Sequence, residues 1–334
     1  MIWTLVVISA GAVALYTLTH VGAARVNARY PHTGTHVDVE GVTLHCVARG
    51  TPSETRPSLV FVHGASSNHR EFLIAVGDHL DRHFGQDQHV IFVDRPGQGG
   101  SARRPGDHSP RAQADRILAA AQKLGAPSII AIGHSWGGAV VAQMAVHGES
   151  VEGAVFAAPA THPWPGDRFQ GVDWYYALAD APVIGWLFTR LITLPVAWGQ
   201  IDDGVENVFA PEPPKPGYAK ALGARLVLRP SAFKANAEDV YRLLQFVIEH
   251  TPSYREITIP VRVITGDEDA VVWPHLHADG LERDIESAEK IVIKGGGHMP
   301  HQTHPELLLE TIAEVMEAAS QASKTAEFER SESA

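Results

Sequence analysis

Short apolar runs alternate with amphipathic stretches along most of the chain. The apolar runs are bounded by glycine, proline or polar residues, as strands are: residues 36–48, 58–64, 89–101, 128–135, 151–159, 260–266 and 289–298. Apolar residues recur at helical spacing between several of them: residues 109–124, 136–147, 275–283 and 304–319. The runs show few polar alternations, which is typical of parallel strands covered on both faces. The pattern therefore predicts an α/β protein with a mostly parallel sheet.

One long interval breaks this alternation. Between Ala160 and Ile257 the sequence contains no convincing strand and reads as short helices with proline-rich joints, as in residues 209–217, FAPEPPKPG. Several of the chain's tryptophans lie there: Trp164, Trp174, Trp186 and Trp198. We interpret the interval as a helical cap inserted into the sheet domain.

The predicted domains follow from these boundaries. Residues 31–160 and 257–319 form the core with the sheet, and residues 161–256 form the cap. Residues 1–30 are a membrane anchor or signal segment with a linker, and the polar tail of residues 320–334 is predicted to be disordered.

The N-terminal segment is an uncharged apolar run, unlike the rest of the chain. Residues 2–18 contain no charged side chain, and as a helix they would span ~26 Å, at the low end for crossing a bilayer. Trp3 and Tyr16 lie near the two ends, where interfacial aromatics are found. Arg25 and Arg29 follow the segment and favour a cytoplasmic location for what comes after it. We therefore expect a single N-terminal membrane anchor.

Two alternatives to the anchor stay open. Small residues at Val21-Gly22-Ala23 would allow signal-peptide cleavage and hence a secreted or periplasmic protein, although no Lys or Arg precedes the apolar run. The segment would otherwise be a helix buried in the fold.

The charge and the cysteine content of the chain bear on its partners and on disulfide formation. The chain has 334 residues and a formal net charge of -11, and no basic patch with interleaved aromatics appears, so we expect no nucleic-acid partner. Cys46 is the only cysteine, so no intrachain disulfide can form. The oligomeric state does not follow from the sequence.

A reactive serine is the first candidate for chemistry. Gly133, Ser135 and Gly137 form G-x-S-x-G directly after an apolar run and before a helical stretch. A strained turn between strand and helix projects the serine hydroxyl, and glycines on both sides allow the two elements to approach closely. The helix N-terminus after the serine also directs backbone N–H groups toward a developing oxyanion.

A serine nucleophile requires a base, and the base requires an orienting acid. Carboxylates follow the predicted strand at residues 260–265, and His298 follows the strand that ends near Lys294. Strands of a parallel sheet end at one edge, so these groups are expected to meet Ser135 there. The order serine, acid, histidine is the order in which this type of elbow takes its partners.

Together these motifs resemble those of the α/β-hydrolase superfamily, specifically a serine esterase or lipase with a helical cap. Beside the elbow, the motifs are HGASSN at residues 63–68, DRPGQGGS at 94–101, GDED at 266–269 and GGGH at 295–298. The resemblance implies an α/β-hydrolase fold with about eight strands and helices on both faces.

The resemblance also implies roles for individual residues. Ser135 would be the nucleophile, Asp269 the acid and His298 the base, with the backbone N–H groups of Ala65 and Trp136 as the oxyanion hole. Family spacing selects Asp269 over its neighbours Asp267 and Glu268, and His298 over His301 and His304. His63 would stabilise the oxyanion loop, and His134 would be structural.

Two short motifs resemble cofactor-binding sites but are incomplete. HLHAD at residues 275–279 is similar to a zinc-hydrolase motif, but Gly280 stands where that motif needs histidine. The turn GQGGSA at residues 97–102 resembles a dinucleotide site, yet Arg103-Arg104-Pro105 follows instead of a helix. We expect neither a metal nor a cofactor.

The predicted reaction is acyl transfer to water. Relatives with an aspartate nucleophile are excluded by Ser135, and His134 replaces the asparagine usual before the serine in carbon–carbon hydrolases. Carboxylic esters are the first expectation, with amides, lactones, thioesters, carbon–carbon hydrolysis or a non-catalytic ligand-binding role as alternatives. The apolar cap stretch of residues 173–195 favours a hydrophobic acyl or aryl group, unless its aromatics form the cap's own core.

Overall fold

A single sheet forms the centre of the protein in a computed structural model that describes residues 2–165 and 174–332. It has eight strands in the order β1-β2-β4-β3-β5-β6-β7-β8. The strands are β1 (Thr35–Val39), β2 (Val42–Arg49), β3 (Ser58–Val62), β4 (Val90–Val93), β5 (Ile129–His134), β6 (Val151–Ala157), β7 (Val261–Gly266) and β8 (Ala288–Ile293). The first two pair antiparallel, β2 runs antiparallel to β4, and the remaining pairs are parallel.

The strand chemistry accounts for this arrangement. Every residue of β3, β4 and β5 is buried, because helices cover both faces of the sheet. Glu40 and Gly41 form the turn of a hairpin between β1 and β2, with φ angles of 52° and 74°. The prediction of a mostly parallel sheet in an α/β fold is thus confirmed.

Helices complete the layers. They are α1 (Ile2–Arg29), α2 (Arg70–Val76), α3 (Leu80–Phe84), α4 (Pro110–Lys123), α5 (Trp136–His147), α6 (Trp174–Asp180), α7 (Pro182–Leu191), α8 (Thr193–Ala197), α9 (Ile201–Phe209), α10 (Tyr218–Leu222), α11 (Pro230–His250), α12 (Pro274–Asp284), α13 (Pro300–Thr303) and α14 (Pro305–Glu332). Two 3₁₀ helices, Ala224–Leu228 and Thr251–Glu256, flank α11. On one face of the sheet Ile117, Val140 and Leu281 join the core, and on the other face Phe72 and Ile312 do so.

The long interval without strands forms a helical cap, as predicted. Its described residues contribute α6 to α11, and they contain no strand. Residues 166–173, where the predicted apolar stretch begins, lie outside the described part of the chain. The cap has its own small apolar clusters, one around Leu194 and Phe233 and another around Phe209 and Tyr218. The exact domain boundaries stay a prediction.

Helix α1 extends further than the apolar run that predicts it. The helix continues to Arg29, through residues assigned to a linker, because its last turns pack on the cap helices α7 and α8. Thr19 and Val26 are buried in this contact. A Cβ atom on Gly22 would lie 2.8 Å from Leu194 Cδ2, so the two segments approach closely.

The C-terminal segment also differs from its prediction. The polar composition after residue 319 predicts a disordered tail, whereas α14 continues to Glu332, and residues 333 and 334 lie outside the described chain. Residues 320–332 contain neither glycine nor proline and are rich in alanine, glutamate and other helix formers, so nothing local interrupts the helix.

Candidate active site

Ser135 occupies a strained turn between β5 and α5. Its backbone has φ 50° and ψ -121°, a conformation that side chains other than glycine rarely adopt. Two hydrogen bonds fix the turn: Ser135 N–H donates to the Ala157 carbonyl at 3.1 Å, and Ala160 N–H donates to the Ser135 carbonyl at 2.9 Å. A Cβ atom on Gly137 would collide with the Val62 carbonyl oxygen, so the close approach requires glycine. This is the geometry expected of a nucleophile elbow.

Asp269 and His298 meet at the same edge of the sheet. Asp269 follows β7 and His298 follows β8, and His298 Nδ1 lies 2.8 Å from Asp269 Oδ2. The other carboxylate oxygen, Oδ1, accepts the N–H groups of Val271 at 2.8 Å and Val272 at 2.9 Å. Both side chains are buried. The carboxylate thereby orients the imidazole as the acid of a triad would.

The charge state of Asp269 follows from these contacts. Burial acts to raise the pKa of its carboxyl group, but the charge and hydrogen bond of His298 and the two backbone N–H groups act in the opposite direction. Their sum places the pKa of Asp269 below its ordinary value. The group is therefore an anion at neutral pH and stabilises a positive charge on His298.

The competing side chains are placed differently. Asp267 and Glu268 are exposed, and Asp267 Oδ1 accepts the Gly295 N–H at 2.6 Å. His304 faces Glu212 at 3.8 Å, and His301 is buried beneath the site. The geometry thus favours Asp269 and His298, the pair that the motif spacing selects.

Ser135 and His298 line one large cavity beneath the cap. The cavity has a volume of about 1000 Å³ and is bounded by both the core and the cap helices. No hydrogen bond joins the Ser135 hydroxyl to His298 among the described residues. Such bonds often form only when substrate is bound. The candidate nucleophile and the candidate base therefore line the same cavity, without a hydrogen bond between them in the described structure.

Two free backbone donors lie beside the serine. The Ala65 N–H follows β3, and the Trp136 N–H begins α5; both residues line the cavity. Neither N–H donates to another atom in the described chain. They are thus available for an oxyanion, as the family resemblance implies.

The segment that carries Ala65, here called the oxyanion loop (residues 63–66), is held by a buried arginine that sequence reasoning did not assign. Arg95 donates to the His63 carbonyl at 2.9 Å and to the Gly64 carbonyl at 3.0 Å. It also pairs with Asp239 of the cap helix α11 at 2.7 Å. Its guanidinium carbon lies 4.2 Å from the centre of the Trp136 ring. Arg95 thereby fixes the two carbonyl groups that directly precede Ala65.

Further contacts hold the oxyanion loop. Ser66 has a φ of 55°, and its N–H donates to Asn236 Oδ1 of α11 at 2.6 Å. His63 Nδ1–H donates to the Gly64 carbonyl at 2.8 Å, and its Nε2 accepts the Arg95 N–H at 3.1 Å. Burial, reinforced by the charge of Arg95, lowers the pKa of His63 to about 4, so the ring is neutral. These contacts support the structural role inferred for His63.

The side chain of His134, the residue before the serine, contacts Glu71 of α2 at the edge of the cavity. Its Nδ1 lies 2.9 Å from Glu71 Oε1, and its Nε2 lies 3.0 Å from the His298 carbonyl oxygen. Glu71 was not singled out by the sequence, since a glutamate five residues after the oxyanion loop carries no motif of its own.

The HLHAD segment has structural partners. His277 Nδ1 accepts the N–H groups of Thr161 at 3.2 Å and His162 at 3.0 Å, and burial lowers the pKa of His277 to about 3. Asp279 pairs with Lys290 at 2.8 Å. In the described part of the chain, this segment does not belong to a cluster with metal-ligand spacing.

A family model described as the alpha/beta hydrolase family matches residues 59–311. Solved structures are similar at low identity. An esterase from Thermogutta terrifontis has a TM-score of 0.65 and 20% identity, with 86% of this chain and 97% of the esterase covered. A membrane phospholipase A has a TM-score of 0.62 and 18% identity, covering 95% and 97%. An epoxide hydrolase, CorEH, has a TM-score of 0.64 and 18% identity, covering 85% and 98%.

These neighbours catalyse different reactions, so at this identity the likeness shows the fold alone. A search of curated proteins found no significant match to the sequence.

Proposed function

We propose that this chain, which belongs to the alpha/beta hydrolase family, is a serine hydrolase that cleaves a carboxylic ester with a hydrophobic acyl or aryl part. One observation carries the proposal. His298, bonded to Asp269 at 2.8 Å, shares a cavity wall with a serine held on a strained elbow. Strain of this kind is retained where it serves a function.

In the proposed first step, Ser135 attacks the ester carbonyl carbon. The hydroxyl proton passes to His298 Nε2 as the Oγ–carbon bond forms, and the carbonyl oxygen becomes an anion held by the Ala65 and Trp136 N–H groups. Collapse of this intermediate breaks the bond to the alcohol oxygen, and His298 returns the proton to the departing alkoxide. An acyl-enzyme and a free alcohol result.

In the second step, water replaces the alcohol. His298 takes a proton from water, and the hydroxide oxygen attacks the acyl carbon. The N–H groups of Ala65 and Trp136 then hold the second oxyanion. The bond to Ser135 Oγ then breaks, and His298 returns the proton to that oxygen. The products are the carboxylic acid and the free enzyme, and Asp269 remains ionised throughout.

The cavity lining supports a hydrophobic substrate. Aromatic and aliphatic side chains from the cap line the same cavity as Ser135: Trp174, Tyr175, Tyr176, Phe188, Ile192 and Val196. Binding an apolar ligand against apolar walls is favourable by about 25 cal/mol for each Å² of apolar surface removed from water. A volume of about 1000 Å³ accommodates a substrate larger than a short-chain ester.

The test compares the wild type with Ser135→Ala on p-nitrophenyl esters of short, medium and long acyl chains. Wild type is expected to hydrolyse them with a preference for the longer chains, and the variant to lose several orders of magnitude in kcat. His298→Ala should be equally damaging, and the double variant little worse than either single one. Equal rates in wild type and Ser135→Ala would refute the proposal.

We further propose that the protein works at a membrane, to which α1 anchors it. This helix contains an 18-residue window with a mean hydropathy of 1.8, of which 6% is buried. The cap, whose helices α7 and α8 contact α1, adds a second group of exposed apolar side chains. Its exposed members are Trp174, Val183, Ile184, Trp186, Leu187, Ile192, Val196 and Trp198. Arg190 stacks on Trp186 with 4.6 Å between guanidinium carbon and ring centre, a combination that suits a lipid headgroup region.

The packing of α1 favours an anchor over a cleaved signal segment. Cleavage near Val21-Gly22-Ala23 would remove Thr19 and Gly22 from the cap and uncover Leu194. A retained helix keeps these contacts covered.

A further inference from the structure

Glu71 is a buried carboxylate behind the nucleophile elbow. Only 2% of its surface is exposed. A single oxygen, Oε1, accepts the Gly64 N–H at 3.2 Å and lies 2.9 Å from His134 Nδ1. The carboxylate of α2 therefore contacts both the oxyanion loop and the residue that precedes Ser135.

His134 extends this chain of contacts to the base. Its second ring nitrogen, Nε2, lies 3.0 Å from the carbonyl oxygen of His298. One carboxylate and one imidazole thus connect the three segments that the proposed reaction requires, namely those of Ala65, Ser135 and His298.

The hydrogen-bond partners of His134 constrain which of its ring nitrogens carry protons. A carbonyl oxygen can only accept, so Nε2 must carry a proton. Burial acts to raise the pKa of Glu71, but the charge and hydrogen bond of His134 act in the opposite direction and hold that pKa well below its usual range. An ionised Glu71 only accepts, so the contacts of His134 fit an imidazolium with a proton on each ring nitrogen, in a buried ion pair with Glu71.

The groups facing the pair do not neutralise it. His301 of α13 lies 4.2 Å from His134 between ring centres, and burial together with the charge of His134 holds the pKa of His301 well below its usual value. Burial and the charge of Glu71 raise the pKa of Tyr218 well above its usual value. His63 is also neutral, and Lys215 acts on His301 only through its charge. Because both side chains are buried, the effective dielectric constant around them is low, and the electrostatic attraction between Glu71 and His134 is strong.

We propose that the Glu71–His134 ion pair is a positioning device that fixes the oxyanion loop, the nucleophile elbow and the loop of the base relative to one another. Neither residue touches the reacting atoms; both act through Gly64, Ser135 and His298. Charge-assisted hydrogen bonds are shorter and stiffer than neutral ones, and displacement of a catalytic group by about 1 Å costs up to about 10²-fold in rate. The inference rests on the proposed serine hydrolase.

An uncharged isostere cannot replace Glu71. In Glu71→Gln, an amide oxygen turned toward Gly64 N–H and His134 keeps the hydrogen bond from Gly64. A neutral His134 then has only one ring proton for two acceptors, so it loses its hydrogen bond either to that oxygen or to the His298 carbonyl. Glutamine that presents its amide group satisfies Nδ1 but leaves the Gly64 N–H without an acceptor. Any neutral arrangement therefore breaks one of the three connections.

The experiment compares full-length Glu71→Gln and Glu71→Asp with wild type on a soluble p-nitrophenyl ester. Active sites are counted with a fluorophosphonate, so that rates refer to folded enzyme. Glu306→Gln is the matched control, since Glu306 also pairs with histidine, at 2.6 Å from His83 Nε2, but on the exposed surface. We expect kcat to fall about 10- to 100-fold in Glu71→Gln with KM nearly unchanged, part of the loss to be restored in Glu71→Asp, and no change in the control.

A second measurement reads the proton count directly. In protein labelled with ¹⁵N-histidine, and with the His134 signals identified by their loss in His134→Gln, both ring nitrogens of His134 should be protonated at pH 7. A neutral His134 would overturn the proposal even if Glu71→Gln failed to fold.

The remaining outcomes are separable. Wild-type kcat in Glu71→Gln, with Ser135→Ala inactive, refutes the positioning role and leaves the hydrolase. An active Ser135→Ala refutes the hydrolase itself. One equivalent of a bound divalent metal would also refute the ion pair, because Glu71, His134 and His301 lie close enough to share an ion.

Discussion

Asp269 uses its two carboxylate oxygens for different purposes. Oδ2 faces His298 Nδ1, while Oδ1 accepts two backbone N–H groups from Val271 and Val272. The backbone contacts require an acceptor at Oδ1. The two backbone N–H groups therefore fix the orientation of the Asp269 side chain. His298 Nδ1 faces whichever atom occupies the Oδ2 position.

Replacing the acid tests this arrangement. In Asp269→Asn the amide oxygen remains with the backbone donors, so the amide group faces His298 Nδ1 and forces the proton onto Nε2. The base then cannot accept from Ser135, and kcat should fall roughly 10²- to 10⁴-fold. Steady-state kinetics on the same ester measure the loss. Asp267→Asn, on the exposed neighbour, is the control; a damaging Asp267→Asn with a mild Asp269→Asn would transfer the role.

At the scale of elements, the cap contributes to the site as well as covering it. Helix α11 contacts the oxyanion loop through Asn236, whose amide accepts from Ser66 N–H at 2.6 Å and donates to Ser66 Oγ at 3.0 Å. The same helix contributes Asp239 to Arg95. A cap variant can therefore alter the catalytic rate as well as substrate choice.

Asn236→Ala should expose that coupling. Loss of both bonds releases Ser66 from its φ of 55° and displaces the neighbouring Ala65 N–H. We expect kcat to fall about 10- to 100-fold while KM changes little, because the donors stabilise the transition state more than the bound ester. Gln245→Ala, on the exposed side of the same helix, controls for general effects on α11. A change in KM alone would show that α11 shapes only the pocket.

At the scale of the whole molecule, the proposed anchor helix α1 is also part of the fold. Its first turns are exposed and apolar, whereas Thr19 and Val26 are buried against the cap. The sequence predicts a membrane anchor and leaves a cleaved signal segment or a helix buried in the fold as alternatives. The last turns of α1 pack on the cap, so removing them would uncover part of the cap.

Two deletions separate these roles. Full-length protein should sediment with membranes and require detergent. Removing residues 1–14 should weaken membrane binding and leave thermal stability unchanged, since the cap contacts remain. Removing residues 1–30 should in addition lower the free energy of unfolding by a few kcal/mol, given about 1.5–3 kcal/mol for a fully buried valine alone. Membrane fractionation and thermal unfolding decide between them. Full-length protein in the soluble fraction with residue 1 present would contradict the anchor, and equal stability of all forms would contradict the packing.

The amino-acid sequence by itself determined the features that depend on near neighbours. Apolar runs of strand length predicted the sheet, and two glycines around Ser135 predicted the turn, because backbone sterics act over a few residues. Motif spacing also selected Asp269 and His298 from their neighbours. The short helices α2, α3 and α13 were not predicted, since four to seven residues show too little periodicity.

Only the tertiary structure decided which side chains support the site. Glu71 meets His134 across 63 residues, Arg95 meets Asp239 across 144, and Ser66 meets Asn236 across 170. A hydrogen bond depends on distances of about 3 Å between specific atoms. Local pattern carries no information about which of many glutamates or asparagines the fold brings within that distance, so these partners became visible only once the sheet, the cap and the elbow were packed together.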